Sequence, residues 1–302
     1  MKLAITGATG FVGQAVLDMA ATESADVRAL TRRAQEPRSG VEWIPGSLDE
    51  PAALADLVSG ADAVLHVAGL TNALHPEEFD RANVDGTARM IDAARAGGAA
   101  RFVFVSSLSA REPSLSNYGR SKARAEALVQ DSGLDWTIVR PPAVYGPRDT
   151  EMFELFRAAK SRIVPLPPRG RTSIIHVDDL ARLLIALAAD GLRTFGATIE
   201  PDDGTPGGYT HKELARLIGS AVGRRVFAPH LPKSLLFAAA RADRLLRGRK
   251  AKLTPDRAGY MVHPDWVCDP AKAVPGDVWA PRIAGPEGLA ATAAWYREQG
   301  WL

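Results

Sequence analysis

The sequence lacks the features that would place it in several broad classes of protein. It has a single cysteine, Cys268, so no internal disulfide can form, and no Cys/His cluster has zinc-ligand spacing. No apolar run has the form of a signal peptide or the length of a membrane span. The formal net charge is only +2, which does not suggest a nucleic-acid partner. These absences favour a cytoplasmic protein with no metal, no integral membrane segment and no bound nucleic acid.

What is present is the composition of a globular protein with a substantial core. The chain has 302 residues, of which 46% are hydrophobic and 24% charged. In its first half, short apolar runs such as KLAIT and RFVFV alternate with longer amphipathic segments. This alternation is typical of parallel strands covered by helices on both faces. The sequence therefore predicts an α/β fold with a doubly wound, Rossmann-type parallel sheet.

The pattern changes after Gly146, where proline becomes frequent and the regular alternation stops. One later stretch, IIHVDDLARLLIALAADG followed by TIEPDD, restores the character of the first half. We therefore predict a second, smaller substrate-binding domain that is partly interleaved with the first. The predicted bounds are 1–146, with 172–200 returning, for the dinucleotide-binding domain, and 147–171 with 201–302 for the substrate-binding domain.

A glycine-rich stretch, AITGATGFVGQAVL, places Gly7, Gly10 and Gly13 between a predicted strand and a predicted helix. Glycine permits a tight turn and lets the backbone approach a pyrophosphate closely. The helix that follows offers free N–H groups and the positive end of its dipole. Because the motif has the strand–loop–helix context that it requires, we predict a dinucleotide site. A glycine turn without a ligand is the less favoured alternative.

Arg32 and Arg33 follow the second predicted strand, DVRALT. A chain that prefers NAD usually carries Asp or Glu near this point to hold the ribose 2′-hydroxyl. Arginine instead suits a 2′-phosphate, through its charge and its paired donors. We therefore expect NADP, with NAD as the alternative cofactor. Two solvated surface arginines are the other interpretation.

Tyr118 and Lys122 lie four residues apart in the predicted helix that begins YGRSK. Residues at this spacing share a helix face, and a nearby positive charge favours the ionised phenol. The pair is therefore either a proton-transfer device or an ordinary surface pair. The remainder of the chain favours the first interpretation, because further motifs accompany the pair in a fixed order.

These motifs are TGATGFVG, GSLDE, HVAG, NVDGT, FVSSLSA, YGRSK, RPPAVYGP and IHVDDLA. In this order they resemble the extended branch of the short-chain dehydrogenase/reductase superfamily, almost from end to end. The RPP-x-VYGP form is closest to the 3β-hydroxysteroid dehydrogenase and dihydroflavonol reductase members. The family often dimerises through the helices that correspond here to residues 84–96 and 118–131. A homodimer and a monomer are equally compatible with the sequence.

The resemblance implies roles for particular residues. Tyr118 would be the general acid/base, and Lys122 would bind the nicotinamide ribose and lower the tyrosine's pKa. Ser107, a better match by position than Ser106, would donate a hydrogen bond to the reacting oxygen; a hydroxyl that caps the strand end is the alternative. Asn83 is expected to be structural and to cap its helix. The expected cofactor contacts are Gly7, Thr9, Gly10, Phe11, Val12, Gly13, Arg32, Arg33, Ser47, Leu48, Ala68, Gly69, Tyr118, Lys122, Pro141 and Val144.

Two departures from the family pattern bear on the substrate. Sugar-nucleotide enzymes of this branch usually carry Asn where this chain has Ala143, and Arg where it has Thr172, beside Arg171. The resemblance therefore implies an NADP-dependent oxidoreductase that interconverts a secondary alcohol and a ketone on a small hydrophobic substrate. The alternatives are an epimerase or dehydratase that retains NAD and acts on a sugar nucleotide, and a non-enzymatic dinucleotide-binding or assembly protein.

The predicted second domain contains two distinctive helices. Thr210 and Glu213, in THKELARLIGSAVG, have the spacing of a capping box. LPKSLLFAAARADRLL is an apolar helix, and the basic segment RGRKAK follows it. The second helix could line a pocket or contact a membrane surface. A packed helix with a solvated basic end is the interpretation that we favour at this level.

Overall fold

The computed structural model describes residues 1–99, 101–189 and 193–302. The strands are β1 Lys2–Thr6, β2 Asp26–Thr31, β3 Val41–Pro45, β4 Ala63–His66, β5 Arg101–Val105, β6 Asp135–Val139, β7 Ala143–Tyr145, β8 Arg171–Thr172, β9 Ile174–His176, β10 Ala197–Ile199, β11 Tyr209–Thr210 and β12 Asp265–Trp266. The α-helices are α1 Phe11–Thr22, α2 Pro51–Val58, α3 Pro76–Phe79, α4 Gly86–Gly97, α5 Asn117–Gln130, α6 Phe153–Lys160, α7 Val177–Ala189, α8 His211–Ala221, α9 Lys233–Arg247, α10 Pro255–Met261 and α11 Gly285–Glu298.

A seven-stranded parallel sheet confirms the predicted fold class. Its strand order is β10-β6-β5-β4-β1-β2-β3, and every neighbouring pair is parallel. The chain therefore runs outward from β1 in one direction and then, after crossing to β4, in the other. The carboxyl ends of β1 and β4 thus lie side by side at the point where the order reverses. In open α/β sheets this crevice is where ligands bind.

The central strands are apolar because both faces of the sheet are covered. All four residues of β4 and all five of β5 are buried, as expected for a parallel sheet flanked by helices. Leu54 of α2, Met90 of α4 and Val129 of α5 belong to one core cluster with Phe102 of the sheet. Burial of each such side chain contributes about 1.5–3 kcal/mol, so this layer holds the strand ends in place.

The described chain divides into two compact units, each made of three segments. The first unit comprises Met1–Arg140, Leu180–Glu200 and Lys272–Ala280, and the second comprises Pro141–Asp179, Pro201–Ala271 and Pro281–Leu302. Residues 141–146 and 172–179 thus fall outside the unit predicted for them, because β7 pairs with β9 rather than with the large sheet. Residues 272–280 also differ from the prediction, since they belong to the first unit. Two hydrogen bonds join them to it: Glu200 N–H donates to Lys272 O (2.8 Å), and Arg182 donates to Ala280 O (2.7 Å).

The second unit contains two small sheets and its own core. β7 and β9 form one sheet, and β11, β8 and β12 form the other. Tyr145, Phe156 and Tyr296 are fully buried in its core. The predicted capping box begins α8: Thr210 Oγ1 accepts from Glu213 N–H (3.2 Å) and Glu213 Oε2 accepts from Thr210 N–H (2.7 Å). Neither small sheet was predicted, since strands of two or three residues leave little pattern in the sequence.

Candidate active site

The glycine loop joins β1 to α1 through contacts that leave no room for side chains. Gly7 has a φ of +74°, and Gly10 N–H donates to Gly7 O (3.0 Å) to close the turn. A Cβ on Gly13 would lie 2.1 Å from Gly7 O. A Cβ on Gly7 would lie 2.6 Å from the backbone nitrogen of Ala68. The loop, the start of α1 and the segment after β4 therefore meet backbone to backbone.

The N-terminus of α1 is open to a ligand. Gly10 is its N-cap, and among the described residues no side chain caps it and no acidic residue lies in its first turn. Thr9 and Gly10 are exposed, while Phe11 and Val12 are partly so. The first N–H groups of a helix seek an acceptor and favour an anion. The cradle therefore fits the pyrophosphate of a dinucleotide.

Arg32 and Arg33 lie at the end of β2 and are exposed. The Thr31 hydroxyl donates to Arg33 O (2.6 Å) and accepts from Arg33 N–H (3.3 Å), which fixes the turn that carries both arginines. Within the described parts of the chain, neither guanidinium makes an ion pair. Both charges therefore remain available to an anion at this strand end.

Ser47 and Leu48 follow β3 and hold different positions in the site. The Ser47 hydroxyl donates to Glu50 Oε1 (2.8 Å) and accepts from Asp49 N–H (3.3 Å), so it stabilises the turn. Leu48 packs on α4, where a Cβ on Gly86 would come within 2.9 Å of Leu48 Cδ1. The hydroxyl of Ser47, which stands where the family pattern usually has an acid, thus serves the turn, and the side chain of Leu48 serves the packing on α4.

A buried ladder of hydrogen bonds fixes the segment after β4. Thr6 Oγ1 accepts from Ala68 N–H (3.2 Å) and lies 2.7 Å from His66 Nδ1. His66 Nε2 lies 3.0 Å from Thr87 Oγ1, which donates to Asn83 O (2.7 Å). Since each hydroxyl has one proton, Thr6 donates to Nδ1 and the imidazole donates from Nε2. Burial lowers the pKa of His66 to about 3, with a smaller effect from Lys122, so the ring is neutral.

Asn83 joins this ladder to the helix that carries the predicted catalytic pair. It lies in a π-helical turn, Asp80–Asp85, directly before α4. Its Oδ1 accepts from Leu70 N–H (2.7 Å), and its Nδ2 donates to Leu70 O (3.0 Å) and Ser121 Oγ (2.9 Å). Asn83 therefore does not cap its own helix, and this part of the prediction is wrong. The wide π turn directs its side chain to the loop after β4 and to α5.

Lys122 is buried at the carboxyl ends of β4 and β5. Its Nζ donates to Val105 O (2.9 Å) and lies 4.9 Å from the centre of the Phe104 ring. A Cβ on Gly69 would lie 2.9 Å from the same nitrogen, so the loop after β4 passes close to the ammonium group. Burial lowers the pKa of Lys122 to about 8, although Glu126 acts in the opposite direction. The charge of Lys122 is therefore held in an apolar setting beside the segment of Ala68 and Gly69.

Tyr118 lies in the first turn of α5, one turn before Lys122. Ser116 caps this helix by accepting from Gly119 N–H (2.9 Å). The Tyr118 ring is partly exposed and packs at 6.2 Å from the Phe79 ring. A Cβ on Gly119 would lie 2.6 Å from Ser109 O. The start of α5 is thereby held against the turn that follows β5, which carries Ser107.

The two serines after β5 have different partners. Ser106 is buried and donates to Glu126 Oε1 (2.5 Å), a carboxylate that also pairs with Arg140. Ser107 begins the 3₁₀ turn Leu108–Arg111, accepts from Ser109 N–H (3.2 Å) and lies 3.0 Å from Ser109 Oγ. Ser107 therefore caps this turn and is partly exposed. Ser109 was not among the predicted site residues, since neither its spacing nor its type distinguishes it.

Most predicted site residues come together at one edge of the large sheet. The glycine loop, the two arginines, Ser47, Leu48, Ala68, Gly69 and Ser107 all follow the carboxyl ends of parallel strands, and Tyr118 and Lys122 lie on the next helix. Pro141 and Val144 belong to the second unit, where Val144 pairs with Ile175 in β7 and β9. The ladder residues Thr6, His66 and Thr87 were not predicted as site residues, because their role depends on contacts distant in sequence.

The chain is similar to proteins of known fold and named activity. The model of a family described as NAD(P)H-binding matches residues 7–191. A ceramide reductase from Caulobacter vibrioides is 38% identical over 99% of this chain and 96% of its own length. A 2-alkyl-3-oxoalkanoate reductase from Stenotrophomonas maltophilia is 28% identical over 96% of this chain and 97% of its own. The solved structure of gox2253 is 26% identical, with a TM-score of 0.76, over 100% of this chain and 99% of that one.

A further solved structure, MoeE5 with UDP-glucose and NAD, has a TM-score of 0.74 at 24% identity over 99% of both chains, which supports the fold alone. Across the residues that the structure describes, no helix combines the length and apolar character needed to cross a membrane.

Proposed function

The chain belongs to the NAD(P)H-binding family and is an NAD(P)-dependent oxidoreductase of the extended short-chain dehydrogenase/reductase type; we propose that it uses NADPH to reduce a ketone on a lipid-like substrate. The observation that carries the proposal is the 38% identity to a ceramide reductase over nearly the whole length of both chains. Reduction of a ketone on a ceramide, which is a long-chain amide, would give a secondary alcohol. This narrows the hydrophobic substrate class expected from the sequence.

The proposed chemistry places one proton and one hydride on the carbonyl group. A bound reduced nicotinamide supplies the hydride for the carbonyl carbon. Tyr118 gives its phenolic proton to the carbonyl oxygen, and solvent then restores that proton. Lys122 shares a helix face with Tyr118, so its positive charge stabilises the phenolate that remains. The product is a secondary alcohol.

Ser107 is proposed to stabilise the charge that develops on the carbonyl oxygen. Its side chain accepts from Ser109 N–H and lies 3.0 Å from Ser109 Oγ, so its rotamer is held from two sides. An orientation fixed before reaction is what makes a single donor effective in catalysis. Ser106 is not proposed for this role, because its hydroxyl donates to the buried carboxylate of Glu126.

We propose a preference for NADP because of the residues in the turn after β2. Arg32 and Arg33 are exposed there, and Thr31 fixes the backbone between them. Two positive charges at this point complement a 2′-phosphate and give nothing specific to a 2′-hydroxyl.

Two positions of the second unit support a substrate other than a sugar nucleotide. Ala143 lies in β7 and has no polar group for a diphosphate. Arg171 donates from Nε to Gly207 O (2.6 Å) and from Nη2 to Gly208 O (2.9 Å), so two of its donors already serve the backbone. These positions favour an apolar substrate over one bearing phosphates.

The test is a direct assay of turnover. We would supply NADPH and the 3-oxo form of a ceramide in mild detergent, follow NADPH oxidation, and identify the alcohol by mass spectrometry. The Tyr118→Phe variant is the matched control, since it removes one oxygen atom. Formation of the alcohol by the wild-type protein alone is expected. Conversion of UDP-glucose without net NADPH consumption, and no reduction of the ketone, would overturn the proposal.

A further inference from the structure

Helix α9 in the second unit has apolar residues on two opposite faces. Leu236 and Ala240 are buried and cluster with Ala258 of α10. This contact accounts for one face only. The opposite side is formed by five residues at helical spacing, which we call the outer face of α9: Leu235, Ala238, Ala242, Leu245 and Leu246.

Every residue of the outer face is exposed. Leu245 and Leu246 have 87% and 85% of their surface open to solvent, and Leu235 has 51%. Single exposed leucines are ordinary on protein surfaces, but a continuous apolar stripe marks an interaction site. None of its five side chains carries a charge, so the stripe is not broken by the polar residues at its margins.

The end of α9 is also the most basic part of the chain. Residues 241–252 contain six basic residues and one acidic residue, whereas the whole chain has a net charge of +2. The acidic residue, Asp243, accepts from the backbone N–H groups of Lys252 and Leu253 (both 2.9 Å) and pairs with Arg247. Arg241 and Lys250 are exposed beside the leucines. The segment therefore presents apolar side chains within a positive field.

We propose that the outer face of α9 docks on an anionic lipid bilayer. Leu245 and Leu246 would enter the boundary between headgroups and acyl chains, while the basic side chains contact the anionic headgroups. A second copy of this chain is the weaker candidate occupant, because it would bring the same positive charge to the contact. The proposal goes beyond the proposed reaction and does not depend on it, since docking requires neither NADPH nor a ketone.

The experiment measures vesicle binding by the full-length protein. We would float it with vesicles of phosphatidylcholine alone and with vesicles containing 30% phosphatidylglycerol. Leu245→Ser/Leu246→Ser removes the apolar contact and keeps every charge. Arg241→Glu/Lys250→Glu reverses charge and keeps the leucines. Phe195→Ser is the control, since Phe195 is 59% exposed but lies in the first unit. Thermal unfolding would establish that each variant is folded.

We expect the wild type and the Phe195→Ser variant to bind anionic vesicles at least tenfold more tightly than neutral ones. Each basic residue near such a surface contributes roughly a fivefold gain. Both double variants should lose at least tenfold in binding to the anionic vesicles. Absent binding by the wild type, or unchanged binding by the leucine variant, would overturn the proposal. So would a dimer that the leucine substitutions dissociate, because the occupant would then be a second copy.

Discussion

The two ends of the candidate cofactor site are made from different parts of the chain. At the glycine loop, contacts are between backbone atoms, and the useful groups are the N–H groups at the start of α1. At the start of α5, the useful groups are side chains, and one of them, Lys122, is buried. The glycine loop thus depends on the absence of side chains, whereas the start of α5 depends on which side chains are present. Substitutions at the loop should therefore act on binding, and those near α5 on the reaction rate.

The largest effect is expected at Tyr118. Tyr118→Phe removes the proposed proton donor and leaves the aromatic ring, so kcat/KM for ketone reduction should fall by about 10²- to 10⁴-fold. The affinity for NADPH, measured by fluorescence titration, should change by less than about threefold, because the aromatic ring and Lys122 both remain. A variant with full activity would remove Tyr118 from the mechanism.

The two neighbouring serines offer a sharper comparison. Ser107→Ala should lower kcat by about 10²- to 10³-fold, because it removes a proposed donor to the reacting oxygen, and the loss of its cap on the 3₁₀ turn should lower the free energy of unfolding by about 0.5–2 kcal/mol. Ser106→Ala should lower the free energy of unfolding by about 1–3 kcal/mol, because the buried Glu126 loses a hydrogen bond. Steady-state kinetics and urea unfolding of both variants would measure this. An equal loss of rate in the two would contradict the assignment.

At the glycine loop, Gly13→Ala should act on cofactor binding. Its Cβ would meet Gly7 O at 2.1 Å and Ala8 Cα at 2.6 Å, so the backbone of the loop must move. We expect the Kd for NADPH to rise by about 10- to 100-fold, in line with the cost of overpacking. Gly276→Ala is the control, since a Cβ there meets nothing within 4 Å. Unchanged binding by Gly13→Ala would show that the cradle is not used.

The arginines after β2 test selectivity between cofactors. In the Arg32→Ala/Arg33→Ala variant, the Kd for NADPH should rise about tenfold or more, while the Kd for NADH should change by less than about twofold. Arg95→Ala, which removes one exposed arginine in the last turn of α4, controls for the loss of a surface charge away from the turn after β2. An equal change for both nucleotides would leave the two arginines as surface charges.

The smallest effect concerns pH. Because burial lowers the pKa of Lys122 to about 8, its positive charge is present below that pH and is lost above it. The rate of ketone reduction at limiting substrate should therefore fall about tenfold between pH 7 and 9. In Lys122→Arg the guanidinium stays charged, so whatever activity remains should not show this decline. A decline near pH 8 in the arginine variant would assign it to another group.

The glycine loop could be predicted from the sequence because its chemistry depends on local spacing. The same holds for the capping box of Thr210 and Glu213 and for the parallel sheet, whose apolar runs are distinct. The ladder from Thr6 through His66 and Thr87 could not be predicted, since its members are 60 and 21 residues apart. The partner of Asn83 depends on a π-helical turn that periodicity does not signal. The exposure of Leu245 and Leu246 likewise depends on which face of α9 meets α10.

The division of each unit into three chain segments has a consequence for synthesis. When the ribosome has made residues 1–140, six strands of the large sheet exist, but β10, the neighbour of β6, does not. Strand β6 is then an open edge with unpaired N–H and C=O groups, a state that favours wrong pairing. The first unit is complete only when Lys272–Ala280 has emerged. Each nascent chain therefore carries an unfinished sheet until β10 has emerged, and an unfinished first unit through the synthesis of most of its second unit.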